Sequence, residues 1–254
     1  MELAIILRTC ETKSVHNWGN RFVNASKKEI IIRCLNSLIK SINYSSNPDI
    51  TLYVVDDHSP EQTLNEIREL TKKCSCKTEI ISLENHGNSA SMKKCYELGI
   101  EQKANIIYFV EDDYIHELES LSSLIVCQNS FSKNLNNKCV VLVPYDEPSD
   151  YLPQKMQSTR VVFGCNRHWR QNNHTTFTMF IPKWVLIHYW NKFMDFTQYD
   201  INNGITEENT INLIYKEGDV FLFTPLPFLS VHLQHIEPVV GDWEKLWTEN
   251  ELEL

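Results

Sequence analysis

The chain has 254 residues, 42% of them apolar, and a formal net charge of −9. That length supports one sizeable core. The acidic balance argues against a general nucleic-acid binder, which needs a basic face to neutralise phosphates, and suits an enzyme that recruits Mg²⁺ or Mn²⁺ to meet an anionic substrate.

In chain order, Leu3–Leu7 is a short apolar run and reads as a first strand. Ser26–Ile42 follows with Ile30, Ile31, Cys34, Leu35, Leu38, Ile39 and Ile42 at helical spacing. Thr51–Val55 reads as the second strand, after an Asn47-Pro48-Asp49 turn. Ser59, Pro60 and Gln62 have the pattern of a helix N-cap and capping box, with Leu64, Ile67 and Leu70 as the buried stripe. Thr78–Leu83 reads as a third strand, and Ser89–Leu98 as a helix closed by Gly99 at its C-cap. A fourth strand, starting at Asn105, runs into three consecutive carboxylates. This β-α-β-α-β-α-β order predicts a mostly parallel twisted sheet flanked by helices.

The second half is less regular. Val140–Pro144, Arg160–Phe163 and Thr175–Ile181 read as strands and Trp184–Phe193 as a helix. Thr206 is expected to cap a helix running through Tyr215 and closed by Gly218. Arg160–His174 carries a dense basic and aromatic patch, and guanidinium groups such as that of Arg167 pair well with phosphate. The acidic tail, Gly241–Leu254, holds Trp243 and Trp247 one helical turn apart. With Leu246 they form an apolar stripe that docks on the domain, on a partner or on a membrane surface.

Eight cysteines lack the spacing of a small disulfide scaffold, and the lone Cys74-x-Cys76 pair is weak evidence for zinc. No apolar run approaches the ~18–20 residues of a membrane span. With no basic leader, the expectation is a cytoplasmic protein.

The chemistry concentrates at strand ends, where open α/β sheets bind ligands. The run Asn105–Val110 stops on Glu111, Asp112 and Asp113, and hard oxygen ligands of this kind suit Mg²⁺ or Mn²⁺ bridging phosphates. An exposed acidic turn is the plainer reading of that triplet alone. The second strand ends in Asp56-Asp57-His58-Ser59, which reads equally as a turn with capping residues or as a site for a base or ribose. Asn85-His86-Gly87-Asn88-Ser89 forms a loop at a helix N-terminus, with Lys93 and Lys94 following, and both features favour phosphate.

In order, strand–RTCE, VVDDHSPEQT, ENHGNSAS and YFVEDDY resemble the nucleotide-sugar-binding half of GT-A-fold glycosyltransferases, especially the large inverting family 2. The resemblance is close over residues 3–118 and reduces to isolated points afterwards. It implies a GT-A domain over 1–240, divided into a donor half (3–118) and an acceptor-side half (119–240), with 241–254 as a tail. Thr9 and Glu11 would line the nucleotide pocket, Asp56 would bond the base, and Asn85 and Lys93 would lie near the donor. Asp112 would contact ribose or metal, and Asp113 would ligate the Mn²⁺ or Mg²⁺ that bridges the diphosphate. His232 in LSVHL resembles a metal- or phosphate-binding histidine of the family, with His235 as a rival. Ile205-Thr206-Glu207-Glu208-Asn209 resembles the family's acidic pair at a helix start, which places Glu208 as the catalytic base. Acids complementing a helix dipole explain the same pair without catalysis.

The expected partners are a nucleotide-diphosphate sugar donor and a glycan, lipid-linked or protein acceptor, without nucleic acid. A sugar-phosphate nucleotidyltransferase, the rival enzyme, would need a Gly-rich basic loop after the first strand, where this chain has LRTCETKS. A non-catalytic carbohydrate-binding protein on the same fold is the alternative from another class.

Overall fold

The computed structural model describes residues 1–11, 21–135, 138–153, 158–234, 236–238 and 240–252. Four parallel strands carry the first half: β1 (Leu3–Thr9), β2 (Ile50–Asp56), β3 (Lys77–Ser82) and β4 (Ile106–Glu111). Three helices connect them: α1 (Lys27–Ser45), α2 (Glu61–Thr71) and α3 (Asn88–Glu101). The strands β1, β2 and β4 are apolar runs because the sheet's centre is covered on both faces. The edge strand β3 is only partly buried.

After β4 the chain forms β5 (Tyr114–His116), α4 (Ser120–Asn134), β6 (Cys139–Leu142), β7 (Val161–Gly164), β8 (Arg167–Asn172) and β9 (Met179–Pro182). Then come α5 (Lys183–His188), α6 (Trp190–Thr197), α7 (Leu213–Lys216), β10 (Val220–Leu226), β11 (Ser230–His232) and α8 (Trp243–Glu249).

The main sheet has the order β3-β2-β1-β4-β9-β6-β10-β8-β7. Within it β9 is antiparallel to β4 and β6, and β8 is antiparallel to β10 and β7. The first three strands step outward from β1 to β3, and the chain then returns to place β4 on the other side of β1. That reversal opens a crevice beyond the carboxyl ends of β1 and β4, the position where open α/β sheets hold ligands.

A two-stranded sheet sits beside this crevice, pairing Ser230 with His116, Val231 with Ile115 and His232 with Tyr114. Side chains alternate faces along a strand. Ile115 and Val231 therefore enter a small second core with Ile30, Cys34, Phe228, Leu233 and Leu246, while Tyr114 and His232 turn to the other side. Their rings stack 4.5 Å apart at an interplanar angle of 5°.

Several local expectations are corrected. Pro60, not Ser59, occupies the N-cap of α2 and makes no side-chain cap bond. The Ser59 hydroxyl instead accepts from the Glu11 amide at 3.0 Å, and its own amide donates to Asp56. Gly99 lies inside α3 rather than at its end. A Cβ there would meet Phe109 at 3.0 Å and Leu186 at 3.2 Å, so the glycine lets helix and sheet approach. The helix expected over Trp184–Phe193 breaks at Tyr189 into α5 and α6. The segment after Thr206 forms a 3₁₀ turn, Glu207–Asn209, and the four-residue α7, without a Thr206 side-chain cap.

The tail folds back. α8 buries Leu246, sets Trp243 edge-on to Phe22 at 4.9 Å, and stacks Trp247 under the Arg33 guanidinium of α1 at 4.3 Å. Its apolar stripe thus packs on its own domain. Among the described residues no helix is long and apolar enough to cross a membrane.

Candidate donor and metal site

Register across the central strands sets the site. Thr9 pairs with Asp56, and Arg8 with Glu111, so the ends of β2, β1 and β4 lie side by side. Thr9 and Asp56 are almost wholly buried, and one Asp56 oxygen has no hydrogen bond among the described residues. Its other oxygen accepts from the Ser59 amide at 3.0 Å. Burial pushes the Asp56 carboxyl above the usual carboxylate range, with the Ser59 bonds opposing. Glu11, just past β1, accepts from the Thr63 hydroxyl.

Beyond β4 the three acids separate into three roles. Glu111 receives Arg8 Nη2 at 2.6 Å, and the same guanidinium bonds Asn88 and Ser91 on α3. Arg8 therefore fastens α3 to the sheet, and Glu111 holds the guanidinium in place. Asp112 accepts the Cys10 amide at 2.9 Å on one oxygen and the Lys27 ammonium on the other. Burial alone would lower Lys27, but Asp112 and Asp113 outweigh it and hold the ammonium above its ordinary value.

Asp113 is 4% exposed. Its Oδ2 accepts from Gln234, and its backbone carbonyl accepts from the Leu233 amide at 2.9 Å. Its Oδ1 has no hydrogen-bond partner among the described residues and lies 3.6 Å from His232 Nε2. Burial opposes ionisation of Asp113, yet His232 and Lys27 outweigh it and keep the carboxyl below its ordinary range. A buried carboxylate oxygen facing an imidazole nitrogen across that gap fits a hard divalent cation such as Mn²⁺ or Mg²⁺. Asp112, already engaged by Lys27, is the second carboxylate at hand.

The acidic pair lies on the 3₁₀ turn. Glu207 is half-buried, and burial raises its carboxyl with further contributions from Glu111 and Glu208. Glu207 is thus within electrostatic reach of the triplet, whereas Glu208 is exposed to solvent. A pocket lined by Tyr145, Asp146, Glu147, Ser230, His232 and Gln234 continues from the Asp113 side.

The other expected donor contacts, Asn85, Lys93 and Arg167, stand on three separate elements. Asn85 is an exposed loop residue, and Lys93 sits on the exposed side of α3, 3.9 Å from Glu97. Arg167 donates to the carbonyls of Pro227 and Phe228 at 2.6 and 2.8 Å and pairs with Glu117 at 3.1 Å. It ties β8 to the turn before β11, so the geometry gives no support to a donor contact for Lys93 or Arg167. The basic patch forms the antiparallel pair β7–β8, with Trp169 fully buried and Arg170 held between Asp146 and Asp150. His235 lies outside the described residues.

Lys27 and Gln234 were not anticipated. Lys27 is the first residue of a well-predicted helix, and helix periodicity does not reveal what an N-terminal side chain will meet. Gln234 stands two residues from His232, close enough that any strand placing one delivers the other.

The open sheet with acid-tipped strands at its reversal point has the α/β architecture of the GT-A class. The model for glycosyl transferase family 2 matches residues 22–201, more than half of the chain, and the chain belongs to that family. No curated protein shows significant similarity to it.

Among solved structures, S. aureus TarS resembles the fold at TM-score 0.52 and 19% identity, over 87% of this chain and 35% of TarS. The TarS 1–349 fragment gives 0.50 and 18%, over 87% of this chain and 58% of the fragment. The glycosyltransferase GlyE of Streptococcus pneumoniae TIGR4 gives 0.53 and 11%, over 98% of this chain and 60% of GlyE. The chain therefore spans less than two-thirds of the length of these relatives.

Proposed function

We propose that this domain transfers a sugar from a nucleoside-diphosphate donor to an acceptor hydroxyl, with a divalent cation and with inversion at the anomeric carbon. One observation carries the reading: the unpartnered Asp113 oxygen facing His232 at the crevice between β1 and β4. Family membership supports the same class of reaction.

In this reading Thr9 and Asp56 receive the nucleoside, the free Asp56 oxygen accepting a base N–H. Asp113, with His232 and Asp112, would hold the metal. Bound there, the ion would offset charge developing on the leaving diphosphate. Lys27 places a fixed positive charge at the same point. Glu208, exposed on its turn, accepts the acceptor's proton as the hydroxyl attacks from the face opposite the diphosphate. Glu207 forms the wall between that base and Glu111.

The test is a panel of nucleoside-diphosphate sugars offered to the purified chain with Mn²⁺ or Mg²⁺, reading donor hydrolysis and nucleotide binding. Asp113→Ala should remove metal-dependent binding while the fold survives. Nucleotide binding that stays equally Mn²⁺-dependent in that variant would sink the metal assignment. Absence of both binding and turnover across the panel would sink the transferase reading.

A further inference from the structure

A second cluster of metal-type donors stands on β2, apart from the carboxylates of β4. Asp57 follows the last residue of β2 and is buried. Its Oδ2 accepts the Gly87 amide at 2.8 Å, which fixes the plane of the carboxylate. Its Oδ1 faces two imidazoles at once, His58 Nδ1 at 3.0 Å and His86 Nδ1 at 3.2 Å. The two rings stack with centroids 3.4 Å apart and planes 29° from parallel. His58 reaches this position through a left-handed backbone, φ 58°, uncommon for a residue other than glycine.

We propose that Asp57, His58 and His86 bind a divalent cation of the zinc type. The three donor atoms all lie within 4.8 Å of one another. Ligand atoms about 2.0–2.1 Å from a tetrahedral zinc ion stand about 3.3 Å apart, close to the spacing of Asp57 Oδ1 from each Nδ1. Two imidazoles and one carboxylate suit a borderline ion such as Zn²⁺ better than the hard ion expected at Asp113. Both Nδ1 atoms must give up their protons to ligate, leaving the Nε2–H groups on the exposed sides of the rings. Three protein ligands leave a fourth position for water.

Such an ion joins two loops that otherwise meet only through hydrogen bonds and the ring stack. It clamps the Asn85–Gly87 loop, which leads into α3, to the end of β2 beside Asp56. The Gly87–Asp57 bond is the outer contact that commonly orients a ligating group.

The experiment uses the full chain, stripped of metal by a chelator, in a Cys74→Ser/Cys76→Ser background. That background removes a thiol pair 3.3 Å apart that would compete for zinc. Calorimetric titration with Zn²⁺ and absorption titration with Co²⁺ should give a site with tetrahedral-type d–d bands and no thiolate charge-transfer band. His86→Ala alters an exposed side chain and leaves the fold intact, and it should weaken Zn²⁺ binding at least ~10-fold. Asp113→Ala should leave this binding unchanged. Wild-type affinity in His86→Ala, or no Zn²⁺ binding in the parent chain, overturns the proposal. Neither readout depends on sugar transfer.

Discussion

Lys27, at the first turn of α1, closes on Asp112 beyond β4, 85 positions further along the chain. It supplies a permanent positive charge inside the acidic crevice, so the carboxylates are partly neutralised before any ion arrives. Lys27→Met should therefore cost about 2–3 kcal/mol without metal. That is below the usual 3–5 for breaking a fully buried pair, because Lys27 keeps 23% exposure. Mn²⁺ should restore more stability to the variant than to the parent, by mass action at a site with one less competing cation. Thermal melts with and without Mn²⁺ decide it, and equal Mn²⁺ shifts in both proteins would refute the competition.

Asp56→Ala should weaken nucleotide binding with little change in its metal dependence. The residue sits across β1 from Asp113, and its second oxygen, without a hydrogen bond among the described residues, is the one offered to a base N–H. Loss of one hydrogen bond to an ionised acceptor corresponds to ~1.5–3 kcal/mol, or roughly 10- to 150-fold in affinity. Titration with UDP, GDP and CDP reads this directly, and unchanged affinity reduces Asp56 to a turn residue.

Glu208→Gln keeps size and position but cannot accept a proton. Transfer should fall by at least ~10²-fold, the lower range for general-base catalysis, with donor binding nearly untouched. Glu207→Gln should be milder, because Glu207 is half-buried whereas Glu208 is open to an incoming acceptor. Full transfer by Glu208→Gln, or a product that retains the donor's anomeric configuration, contradicts the assignment.

His116, the last residue of β5, is buried and hydrogen-bonded to the Tyr108 hydroxyl at 2.7 Å, and burial pushes it down to about 4. A histidine depressed in the folded state adds stability above its unfolded value of about 6.5. That contribution declines as the pH falls from there toward about 4, where it is lost. The difference corresponds to ~3 kcal/mol. Urea midpoints measured from pH 7 to 4 should fall less steeply in His116→Gln than in the parent. Identical slopes would exclude His116 as the titrating group.

Leu246→Ala should destabilise the chain by about 2 kcal/mol, the low end for a buried leucine because the residue lies at the rim of the second core. Donor hydrolysis should persist at temperatures where the variant stays folded. Loss of hydrolysis in the folded variant would instead tie α8 to the donor site.

The first half of the fold was legible because its strands are continuous apolar runs and its helices keep a 3.6-residue period, as at Ile30, Cys34 and Leu38. The acid ends were legible for the same reason, since a buried strand has only one place to end. The internal pairing of Arg167 was not legible, because a basic, aromatic run gives no sign that a strand will bury Trp169 and set Arg167 on Glu117. The sequence reads Gly99 as a helix stop, whereas close contact with Phe109 of β4 and with Leu186, remote in sequence, holds it inside α3. The Asp57–His58–His86 cluster was invisible because two loops 28 positions apart meet only once β2 and α3 are docked.

The bond between Gln234 and Asp113 joins positions 121 residues apart, and it sets an order of events during synthesis. At ribosomal rates of ~5–20 residues per second, the acid end of β4 emerges on the order of ten seconds before the strand that brings His232 and Gln234. Through that interval Lys27, the partner of Asp112, has already been made, whereas His232 and Gln234, which meet Asp113, have not. A chain halted before β11 therefore lacks both side chains that meet the Asp113 carboxylate from the far end of the sequence.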